Sequence, residues 1–165
     1  MTQDRTPGLT RRRATGALAG ALAGAWLAPA ALRAQPLDGT QDLARDIAAA
    51  VARAQPLLML VSLDGCAFCD IVRRSYLLPL RAQGEVVRQI DLRGRSLLRG
   101  PTGASAREAE LARAWGVRVA PTLLFLGPGG AEIAPRLAGY SEDFYGAYLD
   151  DALAQARTRL RNAGG

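Results

Sequence analysis

Histidine and lysine are both missing from this sequence of 165 residues, so all 21 basic residues are arginine. Without histidine the chain cannot form a Ser-His or Cys-His nucleophilic pair, an imidazole general base or a histidine metal site. Only two cysteines are present, too few for a disulfide-dense scaffold or for a tetrahedral zinc site within one chain. We therefore expect no metal and no cofactor.

Aromatic residues are also scarce, at 5% of the chain, whereas hydrophobic residues make up 49% and charged residues 22%. This hydrophobic content can support a packed core and excludes wholesale disorder. The length predicts one domain with an additional segment. We place the additional segment at residues 1–34 and the domain at residues 35–165.

The formal net charge of +6 is concentrated near the N-terminus. Residues 1–34 contain five arginines and one acid, Asp4, which leaves 16 arginines against 14 acids, or +2, in residues 35–165. No stripe of arginine interleaved with aromatic residues follows. Nucleic-acid binding is therefore not expected.

Residues 1–34 have the three parts of an export signal. An arginine run at 11–13 precedes 19 uncharged residues, 14–32, and small residues offer cleavage after Ala30 or Ala34. The run resembles a twin-arginine signal, with ordinary Sec export as the alternative. An uncleaved membrane anchor is a second alternative, because 19 residues are nearly long enough to span a bilayer. Either way we expect the remainder of the chain in the periplasm, which permits disulfides.

Hydrophobic periodicity and breaker residues predict the order α-β-α-β-α-β-β-α. Strands separated by helices should pair in parallel, and the closing hairpin must be antiparallel. The fold class is therefore α/β, with one small mixed sheet and helices on both faces. The predicted elements begin with a helix capped by Thr40 and ended by Pro56, a strand over 57–63 and a helix broken near Pro79. A strand over 86–92, a surface loop over 93–105 and a helix over 107–115 follow. The chain then forms strands over 123–126 and 131–137 and a last helix capped by Ser141, with Glu142 and Asp143 in its first turn.

The segment Cys66-Ala67-Phe68-Cys69 lies between a strand of the buried type and a helix. If Cys66 begins that helix, its sulfur faces unpaired N–H groups and the positive end of the helix dipole, which favour the thiolate. Cys69, one turn later, can form a small disulfide with Cys66 and release a substrate from a mixed disulfide. A CxxC pair placed after a strand predicts a redox function.

Other roles for the cysteines fit less well. A structural disulfide at this spacing would close too small a loop to stabilise the chain by much. Attachment of a c-type haem requires histidine after the second cysteine, where Asp70 stands. Zinc would require ligands from a partner chain. Two buried and inert cysteines are a further alternative, although the preceding Asp64-Gly65 turn favours exposure.

Two further segments, together with the cysteine pair, resemble the thioredoxin superfamily over about residues 40–162. Val119-Ala120-Pro121-Thr122, followed by an apolar strand, resembles the family's cis-proline segment, and Gly139 resembles its glycine after the last strand. The resemblance implies a thioredoxin-like fold in which Pro121 is cis and lies beside the cysteines. From its own neighbours alone, Pro121 would instead be a trans proline that opens a strand.

The same resemblance implies roles for six residues. Cys66 and Cys69 would be catalytic, and Ala120, Pro121, Ala67 and Phe68 would line the groove that binds the substrate. Closest in appearance are exported thioredoxin-like proteins of bacterial sulfur-oxidation and cytochrome-maturation systems. This implies a thiol–disulfide oxidoreductase, a disulfide reductant, whose partners are exported proteins with disulfides or thiols and a membrane thiol-electron transporter. The alternative is a non-catalytic binding or chaperone module that uses the same groove to hold cysteine-containing partners.

Three features depart from the family pattern. Gly65 stands where thioredoxins usually have tryptophan, Ala67-Phe68 replaces the usual Gly-Pro dipeptide, and Leu60 stands where many carry a buried acid. Without that acid, the proton of Cys69 must be handled by another group. Asp64 and a water molecule are the two candidates, and Asp64 could equally be an ordinary turn residue.

Overall fold

The computed structural model describes residues 37–163, and the predicted export signal lies outside the described residues. None of the helices in the described part combines the length and the hydrophobicity needed to cross a membrane. The helices are α1 (Leu43–Val51), α2 (Ala67–Val72), a π-helical turn (Arg73–Leu77), α3 (Leu78–Ala82), α4 (Glu108–Ala114), a 3-10 turn (Pro128–Gly130) and α5 (Tyr145–Ala163). The strands are β1 (Leu57–Ser62), β2 (Val87–Asp91), β3 (Leu97–Arg99), β4 (Ser105–Arg107), β5 (Thr122–Leu126) and β6 (Leu137–Ala138).

The main sheet has four strands in the order β2-β1-β5-β6. The two central strands, β1 and β5, are buried at every position, as expected for strands covered on both faces. β1 and β2 are parallel, whereas β5 is antiparallel to both β1 and β6. The predicted mixed α/β sheet with helices on both faces is confirmed.

Alternating residues of the central strands enter two separate cores. Leu58 and Leu60 of β1 pack with side chains of α2 and α5, and Met59 and Val61 pack on the opposite face with side chains of α1 and α4. Each of these four side chains is fully buried. Full burial of such a side chain stabilises the fold by roughly 1.5–3 kcal/mol. The two cores hold β1 in place and so fix the position of the segment that follows it.

The first helix begins differently from the prediction. Asp42, not Thr40, is its N-cap, and the Asp42 carboxylate accepts a hydrogen bond from the backbone N–H of Arg45. Thr40 is too far before Leu43 for this role, because a capping side chain must reach the second or third N–H of its helix. The Thr40 hydroxyl donates instead to the Asp46 carboxylate, at 2.7 Å.

The helix after Cys66 does not break at Pro79 as predicted. The chain stays helical through a π-helical turn, Arg73–Leu77, and continues in α3, where Pro79 lies in the first turn. Proline has no N–H and its ring clashes with the carbonyl four residues earlier. The wider π-helical turn ahead of the proline relieves that conflict, and single turns of this kind occur as insertions within α-helices.

The predicted loop over residues 93–105 is wrong in part, because it contains one strand and the start of another. β3 and β4 form a small antiparallel hairpin. Leu98 is buried in the second core, and β3 also bridges to Asp42, next to α1. This tertiary contact stabilises the hairpin although its sequence is rich in glycine and arginine.

The last hairpin and the last helix are shorter than predicted. Only Leu137 and Ala138 pair with β5 as a strand, because Pro135 has no N–H to donate to a sheet. α5 begins at Tyr145, so Glu142 and Asp143 precede the helix. Ser141 contributes its backbone carbonyl, which accepts a hydrogen bond from the N–H of Tyr145 at 2.9 Å.

Candidate functional site

Cys66 lies at the junction between β1 and α2, at the C-terminal end of the parallel strand pair. Gly65 has a φ of +70°, a conformation that glycine adopts without strain, and the turn it forms leads the chain from the sheet into the helix. Cys66 is the N-cap of α2, and its Sγ accepts a hydrogen bond from the backbone N–H of Cys69 at 3.2 Å. Its sulfur therefore faces the unpaired N–H groups at the start of the helix, as predicted.

The two cysteines form a disulfide and differ in exposure. Cys66 and Cys69 are bonded to each other, with 5.2 Å between their Cα atoms. Cys66 is partly exposed, whereas Cys69 is fully buried. An incoming thiol or disulfide can therefore approach Cys66 but not Cys69. This asymmetry fits a pair in which the first sulfur meets the substrate and the second closes the disulfide.

The cis-proline segment lies directly beside Cys66. The Ala120–Pro121 peptide bond is cis, as the resemblance implies, and the Cys66 Sγ lies 3.9 Å from the carbonyl oxygen of Ala120. Pro121 is buried. The Thr122 hydroxyl donates to the Val119 carbonyl at 2.8 Å and so holds the segment across its turn. Tertiary folding thus brings together two segments that are 54 positions apart in the sequence.

Ala67 and Phe68, the other two residues assigned to the predicted groove, are both exposed. The Phe68 side chain is 57% exposed, and its ring stacks on Tyr140 with 5.8 Å between centroids. The substrate-binding role of these two residues stays a prediction. Tyr140 was not among the predicted site residues. The sequence does indicate that Tyr140 lies near the site, because it directly follows Gly139. In the structure the Gly139 N–H donates to the Pro121 carbonyl at 2.8 Å.

Tyr140 is also part of a cluster of three tyrosines behind Phe68. The ring of Tyr145 lies 5.0 Å from that of Tyr76 and 5.5 Å from that of Tyr140. Burial raises the pKa of Tyr145, and the neighbouring tyrosines raise it further. Desolvation, with a hydrogen bond to Tyr76, also raises the pKa of Tyr140. The hydroxyls of Tyr140 and Tyr145 therefore stay protonated near neutral pH and add no charge to this side of the site.

A polar cleft of about 450 Å³ opens on the other side of the Cys66 loop. We call it the Ser62 cleft. It lies where β1 and β2 end and α2 begins, and its walls include Ser62, Asp64, Asp70, Arg73, Asp91 and Glu108. No group of three or more Cys, Asp or Glu side chains within residues 37–163 is arranged to hold a metal ion.

Leu60, which occupies the position of the family's buried acid, is fully buried. Asp64, one of the two predicted proton acceptors for Cys69, is exposed at the rim of the Ser62 cleft. Its backbone N–H donates to the Asp91 carboxylate at 3.1 Å. The role of Asp64 in proton transfer stays a prediction.

Comparison with known proteins identifies the family of this chain. Residues 43–153 match the family model described as a thioredoxin-like domain. No curated protein matches this chain. The fold and the Cys66–Cys69 pair together support thiol–disulfide oxidoreductase chemistry in general terms.

Several solved thioredoxin structures are similar to this one at low sequence identity. A thioredoxin h from poplar is 14% identical with a TM-score of 0.49, covering 68% of this chain and 95% of that chain. The oxidised mitochondrial thioredoxin 3 from Saccharomyces cerevisiae is 15% identical with a TM-score of 0.48, and the match covers 72% of this chain and 93% of that chain. A thioredoxin from Thermus thermophilus is 20% identical with a TM-score of 0.41, and the match covers 76% of this chain and 86% of that chain.

Proposed function

The chain belongs to the thioredoxin-like domain family, and we propose that it is an exported thiol–disulfide oxidoreductase that reduces disulfides in other exported proteins. One observation carries the proposal. A partly exposed Cys66 sits at the start of α2, bonded to a buried Cys69 and 3.9 Å from the Ala120 carbonyl. This arrangement leaves one sulfur open to a partner and keeps the second within reach of the first.

In the proposed reaction, the reduced protein begins as a dithiol. The Cys66 thiolate attacks one sulfur of a substrate disulfide, which forms a mixed disulfide and releases the first substrate thiolate. The Cys69 thiolate then attacks the Cys66 Sγ, which forms the Cys66–Cys69 disulfide and releases the second substrate thiolate. Two electrons pass from the dithiol to the substrate, and the protons of the two cysteines leave with the products or to solvent.

The helix start supports the first step, since the Cys69 N–H that donates to the Cys66 Sγ would stabilise negative charge on that sulfur. The segment that ends in Pro121 supports binding, because backbone groups at Ala120 next to the sulfur can pair with an extended substrate chain. A membrane thiol transporter would return the two electrons to the oxidised protein. Export is supported by the arginine run and the uncharged stretch within residues 1–34.

Turnover distinguishes this function from that of a binding module. The reduced wild-type protein should reduce a protein disulfide catalytically when a chemical reductant regenerates it, and Cys66→Ser should abolish this. Cys69→Ser should instead accumulate a mixed disulfide between Cys66 and the substrate, seen by mass spectrometry. If Cys66→Ser retained full function and Cys69→Ser trapped nothing, the non-catalytic binding module would replace this proposal.

Export is tested separately in a bacterial host with both export routes. Protein from the periplasm should have a new N-terminus at Ala31 or Gln35, measured by intact mass. Replacing Arg11 and Arg12 by lysine preserves the charge but removes the twin-arginine pair, so it should block export by that route. Undiminished export of this variant would point to the Sec route, and an intact N-terminus in the membrane fraction would point to an uncleaved anchor.

A further inference from the structure

The Ser62 cleft lies beside Cys66, and apart from the predicted proton-transfer role of Asp64 none of its side chains takes part in the proposed exchange steps. Asp64 and Gly65 belong both to its wall and to the turn that carries Cys66. Its volume, about 450 Å³, lies within the range of small-ligand sites. A side chain that extends from a substrate bound at Cys66 could therefore enter it.

One largely buried polar side chain of the cleft, that of Ser62, has no hydrogen-bond partner among the described residues. Ser62 is 6% exposed, and its hydroxyl makes no hydrogen bond to any described residue. Ser62 lies two residues after Leu60 and four after Leu58 in β1, so its side chain is on the same face of the sheet as theirs. That face carries α2. Gln89 and Asp91 of β2 lie on that same face, and Asp91 is the neighbour of Ser62 in the sheet. The hydroxyl oxygen of Ser62 is not one of the fully inaccessible polar atoms of the described residues, so it opens on the cleft and can pair with a polar ligand group there.

The cleft has an excess of negative charge. Among the residues that the structure describes, four carboxylates and one guanidinium, that of Arg73, line it. Asp70 is ion-paired with Arg73 and, at 3.4 Å, with Arg74. Asp91 accepts hydrogen bonds from two backbone N–H groups, those of Asp64 and Arg93.

The remaining two carboxylates, of Asp64 and Glu108, have no hydrogen bond or ion pair with any described residue. A Cβ at Gly94 would collide with the Glu108 side chain, so this carboxylate lies directly against the backbone at the cleft. The acidic side chains of the described part are not arranged around one point as metal ligands. An extended organic cation fits two separated carboxylates and one hydroxyl better than a compact ion does.

We propose that the Ser62 cleft is a specificity site for a cationic side chain, a guanidinium or an ammonium, close to the cysteine of the substrate. The inference rests on the proposed function, because it requires a substrate chain bound at Cys66. A residue spans at most about 3.3–3.6 Å of extended chain, so the cation belongs within two or three residues of the substrate cysteine. Asp64 and Glu108 would pair with the cation, and the Ser62 hydroxyl would accept a hydrogen bond from it.

The test uses capped five-residue peptides with a central cysteine and the same residue, Arg, Gln or Glu, at both ends. The peptide thiolate attacks the Cys66 Sγ of the oxidised protein, the Cys66–Cys69 bond breaks, and Cys69 leaves as a thiolate. The rate of mixed-disulfide formation is measured for each peptide. Each rate is divided by the rate of the same peptide with bis(2-hydroxyethyl) disulfide, an uncharged reference, which removes the effect of neighbouring charge on the peptide thiol itself.

The normalised rate should be about tenfold higher for the Arg peptide than for the Gln peptide, and lowest for the Glu peptide. Glu108→Gln and Asp64→Asn should each reduce the Arg-to-Gln ratio by about threefold, and 0.5 M salt should reduce it in the wild type. Asp150→Asn removes the same charge from the exposed side of α5 and should leave the ratio unchanged. A role of Asp64 in proton transfer would change the rates of the Arg and Gln peptides by the same factor, so it would not change the Arg-to-Gln ratio.

Equal normalised rates for all three peptides would overturn the inference and leave the proposed function intact. A preference for Arg that survives both cleft substitutions would overturn it as well. If no peptide exchanged with the protein, the proposed function would fail and this inference with it. Acetylarginine amide, titrated while the amide signals of Ser62 and Gln89 are followed by NMR, tests a free cation as the ligand. Signal changes without any peptide preference would assign the cleft to a free small molecule instead.

Discussion

The ring of Phe68 stacks on the ring of Tyr140, with 5.8 Å between their centroids and 29° between their planes. Phe68 lies between the two cysteines. Tyr140 follows Gly139, which is hydrogen-bonded to the carbonyl of Pro121. This one contact therefore joins the cysteine turn to the cis-proline segment on the side of the site opposite the Ser62 cleft.

Replacing Tyr140 by alanine should loosen the cysteine turn. An aromatic pair contributes about 0.5–1.5 kcal/mol beyond the area it buries, and Tyr140 also contacts Tyr145. We expect Tyr140→Ala to lower the free energy of unfolding by about 1–3 kcal/mol and to change the rate of disulfide exchange, measured at a temperature where the variant is folded. Tyr140→Phe should retain the stack. Tyr148→Ala, on an exposed tyrosine that pairs with Phe144, is the control and should leave the exchange rate unchanged.

The two cysteines should react at very different rates after reduction. Cys66 is partly exposed and faces the start of α2, whereas Cys69 is fully buried, so we expect iodoacetamide to modify Cys66 at least tenfold faster at pH 6. Both cysteines lie in the tryptic peptide of residues 54–73, so tandem mass spectrometry of that peptide after short reaction times locates the label and measures both rates in one sample. Equal rates at that pH would contradict the assignment of Cys66 as the nucleophile.

Arg157 anchors α5 to the far end of the sheet through a buried acid. It is ion-paired with Glu85, which is 7% exposed and has one carboxylate oxygen, Oε2, without a hydrogen-bond partner among the described residues. Arg157→Ala would leave this carboxylate buried without its cation, and we expect a loss of about 1–3 kcal/mol in the free energy of unfolding. Arg159→Ala, on an exposed arginine of the same helix, should cost less than about 0.5 kcal/mol. Adding Glu85→Gln to Arg157→Ala should recover part of the loss.

Tyr145 should make the protein sensitive to alkaline pH. Its hydroxyl is buried without a hydrogen-bond partner among the described residues, and burial raises its pKa in the folded state. In the unfolded state tyrosine ionises near pH 10, so above that pH the unfolded chain binds fewer protons than the folded one. The free energy of unfolding therefore falls as the pH rises above about 10.

Tyr145→Phe should remove this contribution and, by deleting an unpaired hydroxyl, raise the free energy of unfolding at pH 7 by about 1 kcal/mol. Urea unfolding at pH 7 and pH 11 measures both effects, and the advantage of the variant should be larger at pH 11. Because the chain has no lysine and arginine stays charged, tyrosines are the side chains that titrate in this range once the cysteines are oxidised. Tyr148→Phe, which deletes a hydroxyl at an exposed position, is the control and should leave the free energy of unfolding at pH 7 unchanged.

The sequence by itself predicted those features that depend on residues close together in the chain. Continuous apolar runs predicted the two central strands, because a strand covered on both faces must be apolar throughout. The spacing of Cys66 and Cys69 predicted their disulfide chemistry, since one helical turn separates them. Errors arose both from local geometry and from tertiary contacts that override local preference. Asp42 replaced Thr40 as the cap, a π-helical turn accommodated Pro79, and contacts with Asp42 and the second core ordered β3.

Only the tertiary structure decided what surrounds the cysteines. Burial of Cys69 and the approach of Ala120 to Cys66 depend on the order of strands in the sheet, which places residues 54 positions apart in contact. The stack of Phe68 on Tyr140 and the Ser62 cleft depend on it as well. A sequence pattern is local, whereas a binding surface is formed by segments from different elements. The composition of this chain therefore limited its chemistry to the cysteine pair, and the packing of the sheet determined which side chains a partner of that pair would meet.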